Sequence, residues 1–168
     1  MSHPVRKLFG ENPEQVARFP GPHVALSPLD LAADFTGPVG AVLTAADAAF
    51  RESGDPVLVS SSADPAEVAR YECRLGPGRS AALVEGAIPE VGSGAVAALG
   101  VRRLLVAGGD TAGAVVRALG LTTLRVGPAV GPGLPWMVPD PGPRLALLLK
   151  SGNFGDPDLF TTAWQSCP

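Results

Sequence analysis

The sequence predicts an α/β fold: a single domain, residues 1–168, with a mostly parallel sheet and helices on both faces in the Rossmann-like three-layer manner. Three observations carry that expectation. Apolar runs of four to six residues alternate with stretches of helical periodicity. An apolar fraction of 46% against a charged fraction of 17% belongs to a chain that folds around a core. The 21 glycines and 18 prolines cluster between the apolar runs, so they punctuate short elements instead of forming a low-complexity tract.

Taken in order, residues 1–22 are polar, with prolines at 4, 13, 20 and 22. Asn12–Phe19 reads as a short helix, with Asn12 as cap and Pro13 and Glu14 suited to its first turn. His23–Leu26 is a short strand, followed by a turn over Ser27–Asp30. Val39–Glu52 places apolar residues at 39, 42, 43, 46 and 50, close to the 3.6-residue period, and stops at Ser53-Gly54. The β-branched run Val57–Val59 is the next strand, closed by Ser60-Ser61-Ser62. A helix over Ala66–Arg70 follows, capped by Asp64, and Arg74–Arg79 forms a loop.

Ser80–Leu99 is helical by periodicity, but Pro89 and Gly92–Gly94 predict that it is bent or divided. Leu104–Ala107 is a strand that runs into Gly108–Gly113, with a helix over Ala114–Leu119 behind it. Thr122–Val126 is another strand, and the proline-rich Gly127–Pro143 reads as a long loop. Leu145–Leu149, apolar throughout, suits a central strand buried on both faces. Ser151–Gly155 turns the chain into a terminal helix over Asp158–Gln165.

The net charge of −3 and the lack of a basic stripe with interleaved aromatics argue against nucleic acid as a partner. Cys73 and Cys167 stand far apart, outside any metal-spaced motif, so a reduced cytoplasmic protein without a metal site is expected. The first 30 residues hold no apolar run long enough for a signal peptide or a membrane span. His3 and His23 have no acidic or cysteine neighbours at ligand spacing, and no catalytic residue announces itself.

In parallel sheets, ligands gather beyond the C-terminal strand ends. Three such ends carry small polar residues: Ser60–Ser62, Gly108–Gly113 and Ser151–Gly155. In the second, the glycines let the backbone approach a ligand, and Asp110 or Thr111 caps a helix whose first N–H groups favour an anion. The same residues also suit a plain strand-to-helix turn. In Lys150-Ser151-Gly152-Asn153-Phe154-Gly155, an ammonium, a hydroxyl, a glycine and an amide offer donors to phosphate or ribose. The alternative is that Lys150 reaches solvent and Gly152 serves the turn. The serine run reads more simply as a helix cap. Trp136 either stacks on a base or pins its proline-rich loop to the core.

Three segments taken together, Val101–Gly120, Val126–Trp136 and Leu145–Gly155 with Asp158-Leu159-Phe160 after them, resemble the C-terminal nucleotide-binding domain of the four-carbon acid sugar kinases. The likeness is firm over the last third of the chain and loose elsewhere. It implies ATP-dependent transfer of the γ-phosphate to a tetronate or oxo-tetronate, with ATP and Mg²⁺ as cofactors. It also implies that Gly108, Gly109, Asp110, Thr111 and Gly113 bind the nucleotide together with Lys150, Ser151 and Gly152.

Two departures stand out. The family pattern has Glu at Asp110 and Ser at Ala112. The family's N-terminal sugar-binding domain is expected to be lacking, and Asp34-Phe35-Thr36-Gly37 is read as a chance echo of that domain's motif. The expected first strand is missing or reduced to Met1–Val5. Catalysis then requires a separate sugar-binding chain or a dimer. The competing expectations are a catalytically silent nucleotide module and a remnant that binds nothing.

Overall fold

The structure is a computed structural model that describes residues 13–61, 65–152 and 154–168. The expectations placed on Asn12, Ser62, Asp64 and Met1–Val5 lie outside those residues. The chain runs through α1 (Pro13–Arg18), β1 (His23–Ala25), α2 (Pro28–Ala33), α3 (Thr36–Ser53), β2 (Leu58–Ser60), α4 (Pro65–Leu75) and α5 (Arg79–Ala97). It continues through β3 (Arg103–Ala107), α6 (Gly109–Ala118), β4 (Leu124–Ala129), β5 (Pro135–Pro139), β6 (Ala146–Lys150) and α7 (Leu159–Thr162), ending in a 3-10 turn at Ala163–Ser166.

β1 and β2 pair in parallel, and β3 and β6 pair in parallel from Arg103↔Ala146 to Ala107↔Lys150. The second sheet has the order β3-β6-β5-β4, so β6 is internal to it, as its unbroken apolar sequence requires. Side chains alternate across that sheet. Leu104, Val106 and Leu147 join a core with Ala87, Ile88 and Val91 of α5 and Ala112 and Val115 of α6. Leu105, Ala107, Ala146 and Leu148 face the other way, onto Leu159, Phe160 and Trp164 near the C-terminus. Helices therefore cover both faces, and each fully buried leucine contributes roughly 1.5–3 kcal/mol.

Several boundaries differ from the sequence reading, each for a local reason. The Ser27–Asp30 turn opens α2: Ser27 accepts from the Asp30 N–H at 3.3 Å, and Pro28 takes the first helical position. α3 starts at Thr36 instead of Val39, because the Asp34 carboxylate accepts from the N–H groups of Thr36 and Gly37 at 3.0 and 3.1 Å. The Asp34-Phe35-Thr36-Gly37 echo is thus a helix cap. α4 runs on to Leu75, which shortens the loop before α5 to three residues, 76–78.

α5 is one continuous helix despite Pro89. Burial of Ala87, Ile88, Val91 and Ala95 offsets the roughly 3 kcal/mol that an interior proline costs. Gly92 is there for contact: a Cβ on it would lie 3.2 Å from Val115 Cγ1, so its absence lets α5 and α6 approach closely. The proline-rich loop is in part sheet. β5 runs antiparallel to both β6 and β4, adding an antiparallel arm to the parallel pairing. Its prolines sit at its two ends, and Pro128 falls in the register shift of the edge strand β4, where no ladder hydrogen bond is lost.

Candidate functional site

β3 and β6 end side by side, so the two glycine turns leave adjacent strands. The Gly108 N–H donates to the Lys150 carbonyl at 2.9 Å, tying one turn to the other. Gly108 has φ +107°, ψ 124°, a conformation that L side chains rarely adopt, and it turns the chain directly into α6. The helix starts at Gly109, five residues before the position read from sequence. Gly108 is its cap, so neither Asp110 nor Thr111 is, and as a glycine it has no side chain to bond the first N–H groups. Asp110, Thr111 and Gly109 thus form the first turn of α6, at the positive end of its dipole.

A cavity of about 380 Å³ opens beside that helix start. Gly109, Asp110, Thr111 and Ala107 border it on one side, Ser61 stands at the end of β2, and Tyr71, Ser80 and Glu85 come from α4 and α5. Sequence reading reached Gly109, Asp110 and Thr111, and took the run that holds Ser61 for a helix cap. It missed Tyr71, Ser80 and Glu85, because nothing in a helical segment's own periodicity says that its surface will face a distant strand end. Gly113 lies within α6 and does not border the cavity. Ala112 points into the core between α5 and the sheet, 7% exposed, so a hydroxyl at this position would face away from the cavity.

The turn after β6 is built differently. Lys150 is 2% exposed and neither snorkels to solvent nor borders the cavity. Its Nζ donates to the Gly152 carbonyl at 2.6 Å and lies 5.7 Å from the centre of the Phe160 ring. Gly152 is buried and Ser151 is exposed. The structure therefore joins both turns through the backbone, while the cavity touches only the first.

Trp136 is fully buried. It donates from Nε1 to the Ala163 carbonyl at 3.0 Å and tilts against Trp164 at 5.5 Å, so it pins β5 to the C-terminal segment and offers no face to a base. Ser60 is buried, and its Oγ lies 2.8 Å from His23 Nε2. Desolvation holds the His23 imidazole below its ordinary pKa of 6.5. Both cysteines are free. Among the described residues no helix is long and apolar enough to cross a membrane, and no cluster of three or more His, Cys, Asp or Glu is poised for a metal.

Comparison with known proteins places these features in context. A family described as the nucleotide-binding C-terminal domain matches residues 13–160. A 3-oxo-tetronate kinase of Pseudomonas savastanoi is 45% identical over 142 residues, which are 84% of this chain and 32% of that protein. The 3-oxo-tetronate kinase of Cupriavidus necator is 46% identical over 123 residues, 73% of this chain and 28% of the relative. The chain thus spans a third or less of the length of these curated relatives. A crystal structure of a Haemophilus influenzae protein has the same fold, with a TM-score of 0.83 at 24% identity over 98% of this chain and 40% of the other.

Proposed function

Because this chain belongs to the nucleotide-binding C-terminal domain family of the four-carbon acid sugar kinases, we propose that it holds the ATP whose γ-phosphate such a kinase transfers to a tetronate or oxo-tetronate. One observation carries the reading: the first turn of α6, whose cap Gly108 has no side chain to bond it, forms a wall of a cavity at the strand ends. The phosphates would lie against the N–H groups from Gly109 to Thr111, with Ser151 and Gly152 on the neighbouring turn. Lys150 would support that turn from below through its bond to the Gly152 carbonyl.

Asp110 and Glu85 both border the cavity and offer two carboxylates beside the phosphate position. Mg²⁺ is suited to such a place, because it binds through one or two carboxylates together with phosphate oxygens. When bound, the ion would neutralise the charge that develops on the transferring phosphoryl group. Asp110 would keep, one methylene shorter, the acid that the resemblance expects here as Glu.

Phosphoryl transfer depends on positioning as much as on charge, since the acceptor hydroxyl must lie in line with the γ-phosphate. A sugar-binding domain would hold the acceptor, since this chain spans only a third or less of its curated relatives. The reading is tested by titrating the chain with MgATP and by assaying phosphorylation of four-carbon sugar acids, with and without a relative's sugar-binding domain. Binding without turnover is expected for the chain alone, and turnover when the second domain is present. No binding at millimolar ATP overturns the reading. Binding with no turnover in either case favours the silent nucleotide module instead.

A further inference from the structure

Four polar or charged side chains are buried among the described residues: Gln15, Ser60, Ser80 and Lys150. Two of the four serve the same turn. Lys150 holds the carbonyl of Gly152, and Gln15, from the other end of the chain, holds the carbonyls of the residues that follow. Gln15 Nε2 lies 3.2 Å from the Phe154 oxygen, 3.1 Å from that of Gly155 and 2.9 Å from that of Asp156. Two amide hydrogens are thus shared by three oxygens that converge on one point. An apolar residue of the same size would fill the space on α1 as well, so it is the donor that this position requires.

We infer that Gln15 is a positioning residue for the nucleotide: it fixes residues 154–156 from behind, so that Ser151 and Gly152 present their backbone to the phosphates. The inference rests on the reading above, that this turn contacts ATP. α1 is firmly seated for the task. Val16 and Phe19 pack against the core that holds Leu159 and Phe160, and Arg18 lies 3.6 Å from Asp158. The turn itself is exposed at Phe154, Gly155 and Asp156. Without Gln15 its carbonyls can rotate toward water, and the loss falls on the shape of the turn more than on global stability. Among the described residues, the three-residue link at 76–78, between the helices α4 and α5, has no buried polar side chain holding it.

The test compares Gln15→Met, which keeps the volume and removes the donor, with the unaltered chain. Val57→Ala, a core truncation 1% exposed in the cluster around Phe50, serves as the stability control. Gln15→Met is expected to weaken MgATP binding about five- to tenfold, the scale of one lost hydrogen bond. Val57→Ala is expected to bind as the unaltered chain does, even at an equal or larger loss of melting temperature.

Should Gln15→Met fail to fold, Gln15→Asn keeps a neutral amide in the helix but draws its donor one methylene short of the three oxygens. It should weaken binding by the same route. Backbone amide signals followed by NMR during ATP titration separate the two possible failures. If those of Ser151 and Gly152 do not move in the unaltered chain, the turn is not at the nucleotide, and reading and inference fall together. If they move, and the Gln15 variant that folds binds ATP with full affinity, the inference alone is overturned.

Discussion

Replacing Gly109 by valine separates a ligand turn from a simple connection, because the structure gives opposite expectations for stability and for binding. A Cβ built on Gly109 meets nothing within 4 Å, and its φ is not positive. In a helix, glycine and valine differ by less than about 0.5 kcal/mol. For a chain of this length that moves the melting temperature by about 2 °C or less. The added side chain nevertheless stands at the cavity wall, where the phosphate would approach the first N–H groups of α6. Losing one hydrogen bond to a charged group costs about 1.5–3 kcal/mol, or roughly 10- to 150-fold in affinity.

Thermal melts and calorimetry read both effects. MgATP at a hundred times its Kd stabilises the unaltered chain by about 2.7 kcal/mol, which raises its melting temperature by roughly 5–11 °C. If the variant binds about a hundredfold more weakly, the same ATP concentration stabilises it by only about 0.4 kcal/mol, a rise of about 1 °C. Gly40→Val is the control: it too sits in a helix with nothing within 4 Å of the added Cβ, and it should keep the full shift. An equal Kd for Gly109→Val and the unaltered chain would refute the placement of the phosphates.

Two further outcomes are expected. Lys150→Met removes the buried bond to Gly152 and should cost about 1.5–3 kcal/mol of stability; it should also weaken ATP about tenfold while leaving adenosine unchanged. A lowered melting temperature with both affinities intact would make the lysine a structural group only. Gly155→Ala should cost about 2–4 kcal/mol in urea denaturation, since φ is +86° and the new Cβ would lie 2.6 Å from Leu159 Cδ2; a loss below about 0.5 kcal/mol, the scale of a neutral surface change, would contradict this geometry.

Local pattern alone determined much of this protein. Period and punctuation located the strands around Val57–Val59, Leu104–Ala107 and Leu145–Leu149 and most of the helices, because a strand or a helix face must be apolar at its own repeat to be buried. The glycines at Gly108 and Gly152 marked the ends of the two adjacent parallel strands. Where sequence reading stopped short, interactions from a distance decided. Pro89 and Gly92 read as breaks, yet burial against α6 keeps α5 whole. The prolines of Gly127–Pro143 read as a loop, yet β6 offers the middle of that segment an antiparallel partner.

The direction of each side chain is also beyond the sequence. Lys150 read either as a donor to phosphate or as a side chain reaching solvent; the alternation of β6 sends it to the α7 face, under its own turn. Gln15 carried no signal at all, since its three acceptors lie about 140 residues further along the chain. Tyr71 and Glu85 became cavity residues only when α4 and α5 packed across the strand ends. Propensity and periodicity act over a few residues, and so they leave a record in the sequence. A cavity wall is made by elements that meet only in space, and its composition is decided by the packing that brings them together.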